Sequence, residues 1–152
     1  MTREDLKIKI SELLNTTAFD EGGEWLTCTI DPKNWLALAG NLRSDPALSF
    51  DYLFCLTCID WKTHLTMVYH LSSTKYRYNI VVKAIVDRTN PVMESVAAIW
   101  RTAEFHEREV YEMFGVNFLN HPDLRLLILP DGWEGKNPMR KDFEDPVNMI
   151  RL

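Results

Sequence analysis

Two of the three cysteines, Cys55 and Cys58, form a C-x-x-C motif, a spacing found in zinc sites and dithiol redox centres. The motif lies within residues 50–60, whose aromatic and β-branched side chains predict a strand. Because residues three apart on a strand point to opposite faces, these thiols cannot share a metal without a distortion. Cys28 is the third thiol, and iron–sulfur clusters usually take four. We therefore predict buried structural cysteines.

A second set of potential metal ligands lies on and after a charged helix: His106, Glu107, Glu109, Glu112 and His121. The H-E-x-x-H spacing that places two imidazoles on one helix face is absent from it. His106 instead shares an apolar stripe with Ala103, Val110 and Phe114, which predicts a packed histidine. A metal enzyme using His106, Glu109 and His121 is kept as a competing interpretation.

The same helix carries Glu104, Arg108 and Glu112 at successive i, i+4 positions, which predicts a ladder of ion pairs. Phe105 and Met113 make the helix apolar on more than one side. Its charged side chains, Glu109 and Arg108 among them, therefore face either water or another protein. A charge in a protein contact needs a partner, because an unpaired buried charge costs several kcal/mol.

Length and composition limit the possible functions. The chain has 152 residues, a net charge of −5 and 46% apolar residues, as expected for one globular domain. Acidity argues against nucleic-acid binding, and no run approaches the ~20 apolar residues of a membrane span. The odd number of cysteines suits a reducing cytosol, and the N-terminus does not resemble a signal peptide. Neither a phosphate-binding glycine loop nor a nucleophile elbow is present.

Periodicity and turn residues define the elements that must position these side chains. Helices are predicted over 3–16, from Asp31-Pro32 to Ser44, from Asn90-Pro91 to Trp100, and over 103–114; strands are predicted over 25–30, 50–60, 64–72 and 76–86. This order predicts an α+β fold, a two-layer sandwich of a mixed or antiparallel sheet with helices on one face, plus an extended C-terminal tail. We expect residues 1–115 to form the globular part and residues 116–152 a docking tail, with Gly115 ending the last helix.

The tail has the composition of an ordered segment. An apolar run over 124–129 ends at Pro130, a turn-like DGWEG surrounds Trp133, and apolar and charged residues alternate over 139–143. Disordered tails are poor in such residues, so this one is predicted to dock, on partner chains or back on its own domain. Arg125 and Arg140 have the planar guanidinium suited to carboxylates on a neighbour.

Four blocks of this region occur in a recognisable order: EREVYEMFGVNF, HPDLR, LPDGWEG and PMRKDF. In order and spacing they resemble the C subunit of proton-translocating NADH:quinone oxidoreductase, respiratory complex I, which is the "30 kDa" subunit family. The resemblance departs from the family pattern at three places. Leu126 stands where a second basic residue is usual, Lys136-Asn137 adds one residue, and Glu144-Asp145-Pro146 replaces the usual Pro-Leu.

The resemblance implies a non-redox scaffold subunit in the peripheral arm of the enzyme, at the cytoplasmic face of the cell membrane. Its partners would be subunits B, D and I, which with their neighbours hold the iron–sulfur clusters and the quinone. No cofactor is expected in this chain, and membrane contact would come only through other subunits. The alternative is the equivalent subunit of a membrane-bound nickel–iron hydrogenase or another complex-I-like oxidoreductase.

The family's partner-binding residues map onto both the last helix and the tail. By the resemblance they are Glu107, Arg108, Glu109, Tyr111, Phe114, Gly115, His121, Pro122, Leu124, Arg125, Pro130, Trp133, Gly135, Pro138, Arg140, Lys141 and Asp142.

Overall fold

The structure is a computed structural model that describes residues 1–14 and 18–150. Its main sheet contains β1 (Ala18–Asp20), β2 (Leu26–Ile30), β3 (Tyr52–Asp60), β4 (His64–Ser72) and β5 (Asn79–Asp87). A small second sheet pairs β6 (Val92–Glu94) with β7 (Asn117–Leu119), and the helices are α1 (Arg3–Leu13), α2 (Trp35–Ser44) and α3 (Ala103–Phe114).

The main sheet is mixed and has the strand order β1-β2-β5-β4-β3. The neighbours β3, β4 and β5 are antiparallel and are joined by residues 61–63 and 73–78. β2 lies parallel to β5, so the chain must cross over between them, and α2 lies in that connection. The predicted α+β class and mixed sheet are confirmed.

One face of the sheet and all three helices enclose a common core. On β5 the alternating residues Ile80, Val82, Ala84 and Val86 point into it, as the sequence pattern predicts. The helices contribute apolar residues to the same cluster, among them Ile10, Trp35 and Val110.

Local signals explain where the first two helices begin. Thr2 and Asp5 form a reciprocal capping box at the start of α1. The Asp31 carboxylate accepts the Lys33 N–H, and Pro32 opens a short 3₁₀ turn that leads into α2. Residues 15 and 16, the predicted end of the first helix, lie outside the described residues, and Leu14 already has an extended backbone.

The helix predicted from Asn90-Pro91 to Trp100 is wrong. Residues 92–94 form β6, and a series of tight turns follows, in which the N–H groups of Ile99 and Trp100 donate to the carbonyl of Val96. Val96 and Trp100 are both buried, so their i, i+4 spacing imitates an amphipathic helix. The partner of β6 comes more than twenty residues later in the chain, beyond the reach of a local periodicity.

Three other differences have local causes. β1 is a three-residue edge strand, too short to show an alternation, and it was not predicted. β5 begins at Asn79 rather than at residue 76, because Arg77 has a positive φ of 57° within a turn closed by Ser73 and Tyr78. After Gly115, Val116 and Phe118 enter the core, so the extended part of the chain begins after β7. We call residues 120–150 the C-terminal segment.

Within the part of the chain that the structure describes, no helix has the length and apolar character needed to cross a membrane.

Candidate functional site

Helix α3 is attached to the sheet by contacts that do not involve its charged side chains. Just before it, the Trp100 indole Nε1 donates to the carbonyl of Phe50 at 2.8 Å, and Thr102 Oγ1 donates to that of Leu53 at 2.7 Å. The helix ends at Gly115, whose φ of 78° lies in the left-handed region that favours glycine. Both ends of α3 are therefore held in place.

The Glu112 side chain holds the C-terminal segment from its amide side. Glu112 is only 1% exposed, and its carboxylate accepts the backbone N–H groups of Leu127 at 2.8 Å, Ile128 at 3.0 Å and Leu129 at 3.2 Å. A carboxylate with three amide donors is well satisfied, which is what a buried charge requires.

Arg108, one helical turn earlier, holds the adjacent residues from their carbonyl side. Its Nε donates to the carbonyl of Arg125 at 3.1 Å and its Nη2 to that of Leu126 at 2.6 Å. The guanidinium is 5.6 Å from the centre of the Phe105 ring. The predicted ladder of ion pairs along the helix is therefore wrong, because Arg108 and Glu112 bind the backbone of the 125–129 run instead.

A third attachment lies at the C-terminal end of α3. Arg140 Nε donates to the carbonyl of Phe114 at 2.7 Å, and the N–H of Met139 donates to the carbonyl of Met113 at 3.1 Å. These carbonyls are free at a helix end, and a cation there also interacts favourably with the helix dipole.

The fourth attachment centres on Asp60 at the end of β3. Arg88 donates to both carboxylate oxygens of Asp60 at 2.8 Å, and the N–H groups of Lys62 and Lys141 donate to the same group. Asp142 completes the cluster through a 2.8 Å ion pair with Arg88. Hydrogen bonds from Arg88 hold the pKa of Asp60 far below its usual range. Lys141 is thereby fixed to the end of β3 and Asp142 to Arg88, just after β5.

Glu107 and His121 lie inside the fold. The Glu107 carboxylate accepts Ser95 Oγ at 2.6 Å and the Val96 N–H at 2.8 Å, and burial raises its pKa to about 7. His121 has a fully buried ring, in which Nε2 lies 2.9 Å from the carbonyl oxygen of Glu104 and Nδ1 accepts the Asp123 N–H at 3.0 Å. Contact of either side chain with a partner would therefore be indirect.

The side chains that remain exposed form the outward surface of this assembly. In the 125–129 run, Leu127 is 38% and Ile128 63% exposed. On α3, Phe105 and Glu109 face solvent, and Met139 is also exposed. The backbone is thus bound inward while apolar side chains point outward.

The other predicted partner-binding residues divide by exposure. Tyr111 and Leu124 are half-buried and pack against the core, and Pro138 is half-buried; Pro122, Pro130 and Gly135 are exposed. Arg125 pairs with Asp123 at 2.9 Å and is 70% exposed. Trp133 lies 6.3 Å from the Phe143 ring, within the C-terminal segment itself.

The two thiols of the C-x-x-C motif lie on opposite faces of β3, as the strand pattern predicts. Burial is as predicted for Cys28 and Cys58, whereas Cys55 is half-buried. Cys55 stands opposite His70 and Cys58 opposite Met67 in the β3–β4 ladder. Cys58 points into the core and Cys55 to the other face, and burial raises the pKa of Cys58 to about 12. Within residues 1–14 and 18–150, no three His, Cys, Asp or Glu side chains are arranged to hold a metal ion. Of the competing metal triad, His121 has both ring nitrogens engaged and Glu109 faces outward.

Three residues central to this geometry are not among the predicted partner-binding residues: Glu112, Asp60 and Arg88. Glu112 lies one turn from Arg108, on the side of α3 opposite Ala103, Val110 and Phe114, where the helical pattern predicts exposure. Asp60 and Arg88 lie 28 residues apart in sequence, and nothing local indicates that they meet.

Comparison with known proteins agrees with this architecture. Residues 28–147 match the family described as "Respiratory-chain NADH dehydrogenase, 30 Kd subunit". The C subunit of NADH-quinone oxidoreductase from Chloroherpeton thalassium is 40% identical, over 72% of this chain and 46% of that protein. The C/D subunit of the same enzyme from Phocaeicola vulgatus is 46% identical, over 67% of this chain and 20% of that protein. The C subunit of F(420)H(2) dehydrogenase from Methanosarcina mazei is 39% identical, over 64% of this chain and 63% of that protein. The chain thus spans less than half the length of the first two relatives.

Among solved structures, a chain of the membrane-bound sulfane sulfur reductase, an archaeal respiratory membrane complex, superposes with a TM-score of 0.81 at 26% identity, covering 93% of this chain and 85% of that chain. The family match extends over most of the sequence and includes α3 and nearly all of the C-terminal segment. The chain therefore belongs to the 30 kDa subunit family of respiratory-chain NADH dehydrogenase.

Proposed function

We propose that this chain is a non-redox scaffold subunit in the peripheral arm of a proton-translocating NADH:quinone oxidoreductase. In this role it supports electron transfer from iron–sulfur clusters to quinone, both held by partner subunits. Family membership and the names of the relatives support the assignment. The chain acts through position, and a displacement of about 1 Å near a reacting centre can cost ~100-fold in rate.

The observation that carries the proposal is that two side chains of α3 bind the backbone of residues 125–129, one through its carbonyl groups and the other through its amide groups. Arg108 binds the carbonyls of residues 125 and 126 and Glu112 binds the amides of residues 127–129, so these backbone groups need no further partners. Irregular backbone with satisfied polar groups can be covered by another protein without leaving buried donors or acceptors unpaired. The outward side chains Leu127 and Ile128 then supply the apolar contact.

Residues 1–115 and 116–152 differ in role in this proposal. The first part is the folded body, and the second contributes β7 to it and then supplies the docking surface. The predicted partner-binding residues divide accordingly. Exposed ones such as Glu109, Arg125 and Asp142 would touch a partner, while Arg108 and Glu107 would position the surface from inside.

The D subunit is the partner with the most direct support. The relative from Phocaeicola vulgatus is named as a C/D subunit, in which the two are one chain, and fused chains are held next to each other. The B and I subunits are proposed from the family resemblance alone. The cytoplasmic face of the membrane follows from the same assignment, with membrane contact made by the other subunits.

A second assembly is favoured by two specific similarities. The relative from Methanosarcina mazei is named for F(420)H(2) dehydrogenase, and the superposed solved chain comes from a sulfane sulfur reductase complex. A membrane-bound nickel–iron hydrogenase is a further host of the same class. The scaffold role would be identical there, and the electron donor and acceptor would differ.

The test is purification of the tagged chain from its native membranes in mild detergent, with mass spectrometry of the subunits that accompany it. Recovery of the D and B subunits together with NADH-oxidising subunits supports the proposal. Subunits of a hydrogenase or a sulfur reductase instead would establish the second assembly. Both proposed assemblies would be contradicted if the tagged chain were recovered without other subunits and the Ile128→Asp variant were recovered in the same way.

A further inference from the structure

Glu107 is a buried acid that lies beneath the proposed docking surface and is not itself exposed on it. It is 0% exposed, and its carboxylate is held by Ser95 Oγ and the Val96 N–H, which follow directly after β6. Ionisation of a carboxyl group in such surroundings is unfavourable unless hydrogen bonds to the carboxylate offset the cost of burying its charge. The two donors compensate in part, so both protonation states are accessible near neutral pH.

His121 connects this carboxyl to the C-terminal segment. Because its Nδ1 accepts the Asp123 N–H, the proton of the neutral ring is on Nε2. That Nε2–H donates to the carbonyl of Glu104 at 2.9 Å and lies 3.7 Å from Oε2 of Glu107. One donor is therefore placed between two acceptors, and only one of these acceptors changes charge.

None of the other groups around Glu107 changes its charge as Glu107 titrates near neutral pH. Tyr69 faces it from β4 and Cys58 lies beside Tyr69 on β3, and burial raises the pKa of both above their usual values. Ser95 has no charge. Arg108, the next residue of α3, is committed to the carbonyls of Arg125 and Leu126.

We propose that Glu107 is an internal proton-binding site whose ionisation draws the His121 ring toward it and so changes how the start of the C-terminal segment is held. A hydrogen bond to a charged acceptor is roughly twice as strong as one to a neutral carbonyl. Ionised Glu107 therefore competes with the Glu104 carbonyl for the Nε2–H, whereas the protonated acid does not. Movement of the ring carries the Asp123 N–H with it, two residues before the Arg125 carbonyl that Arg108 binds.

The test follows three signals of the full isolated chain by NMR between pH 5 and 9: the His121 ring Nε2–H, the Asp123 amide and the Val96 amide. We expect all three to shift together with one midpoint near pH 7. In Glu107→Gln, which imitates the protonated acid, none of them should shift. In Ser95→Ala the common midpoint should move to higher pH, because the Ser95 hydrogen bond lowers the pKa of Glu107.

Three results would overturn the inference. The first is an unmodified chain in which Val96 shifts while the His121 and Asp123 signals do not. The second is a shift that persists in Glu107→Gln, which would assign the proton to His121 itself. The third is the absence of any transition in this pH range. Since the measurement needs no partner, its result is independent of whether the chain assembles as proposed.

Discussion

The buried carboxylate of Glu112 accepts the backbone N–H of Leu127 at 2.8 Å across a separation of 15 residues. This contact places an irregular, strongly apolar stretch against α3 and leaves the side chains of Leu127 and Ile128 exposed. Together with the bond from Arg108 to the carbonyl of Arg125, it attaches the HPDLR block and the residues after it to the helix that carries the EREVYEMFGVNF block.

Replacement of Glu112 should release the 125–129 run. In Glu112→Gln a single carbonyl oxygen faces three amide donors and an extra NH2 donor is buried, so we expect a loss of about 1.5–3 kcal/mol in the free energy of unfolding. Hydrogen exchange at Leu127 and Ile128 should become faster. Urea denaturation with hydrogen-exchange mass spectrometry measures both effects. The control is Glu109→Gln on the exposed side of the same helix, which should stay within about 0.5 kcal/mol.

Replacement of two glycines by alanine should change the stability of the protein in opposite directions. Gly115 has a positive φ, and a Cβ there would lie 2.7 Å from Nδ2 of Asn137, so Gly115→Ala should lower stability by about 1–2 kcal/mol. Gly40 lies within α2 with nothing within 4 Å of an added Cβ, so Gly40→Ala should raise it by about 0.5–1 kcal/mol. Thermal unfolding measures the change in melting temperature of both variants. Equal changes in melting temperature would mean that Gly115 is not required to end the helix.

Asp60 should stabilise the chain above acidic pH and lose its effect as the pH falls. Arg88 lowers the pKa of Asp60 in the folded state. The contribution of Asp60 to stability is therefore complete above its usual pKa of 3.8 and is lost as the pH falls below that value. Asp60→Asn should cost on the order of 2–3 kcal/mol at pH 7. The difference from the unmodified protein should narrow below pH ~4. Asp142→Asn, at an exposed carboxylate of the same cluster, should show a much smaller difference at neutral pH.

Glu107 should have the opposite pH dependence. Its folded pKa is raised by burial from 4.5 to about 7, so the folded state binds the proton more tightly than the unfolded chain. Its contribution is complete below pH 4.5 and is lost as the pH rises through about 7. Relative to the unmodified protein, Glu107→Gln should therefore gain on the order of 2–3 kcal/mol between pH 5 and pH 8. Urea titrations at both pH values measure this, and a pH-independent difference would contradict the assigned burial cost.

The sequence predicted those elements whose pattern is complete within one segment. The alternation over 76–86 gave the core face of β5, and Gly115 gave the end of α3. The helix predicted from Asn90 failed because the pairing of β6 with β7 depends on residues far along the chain. The predicted ion pair between Arg108 and Glu112 is wrong for a related reason. Their i, i+4 spacing is the same whether they pair with each other or bind a distant backbone.

The most direct test of the docking surface is photo-crosslinking from position 128 in native membranes. A photoreactive amino acid there replaces a side chain that is 63% exposed, and position 8 on α1, 56% exposed, is the matched control. We predict that position 128 forms an adduct with another protein of the complex, the D subunit first among them, and that position 8 does not. Adducts from position 8 alone, or from neither position in an assembled complex, would show that the surface held by Glu112 and Arg108 is not where this chain meets its partner.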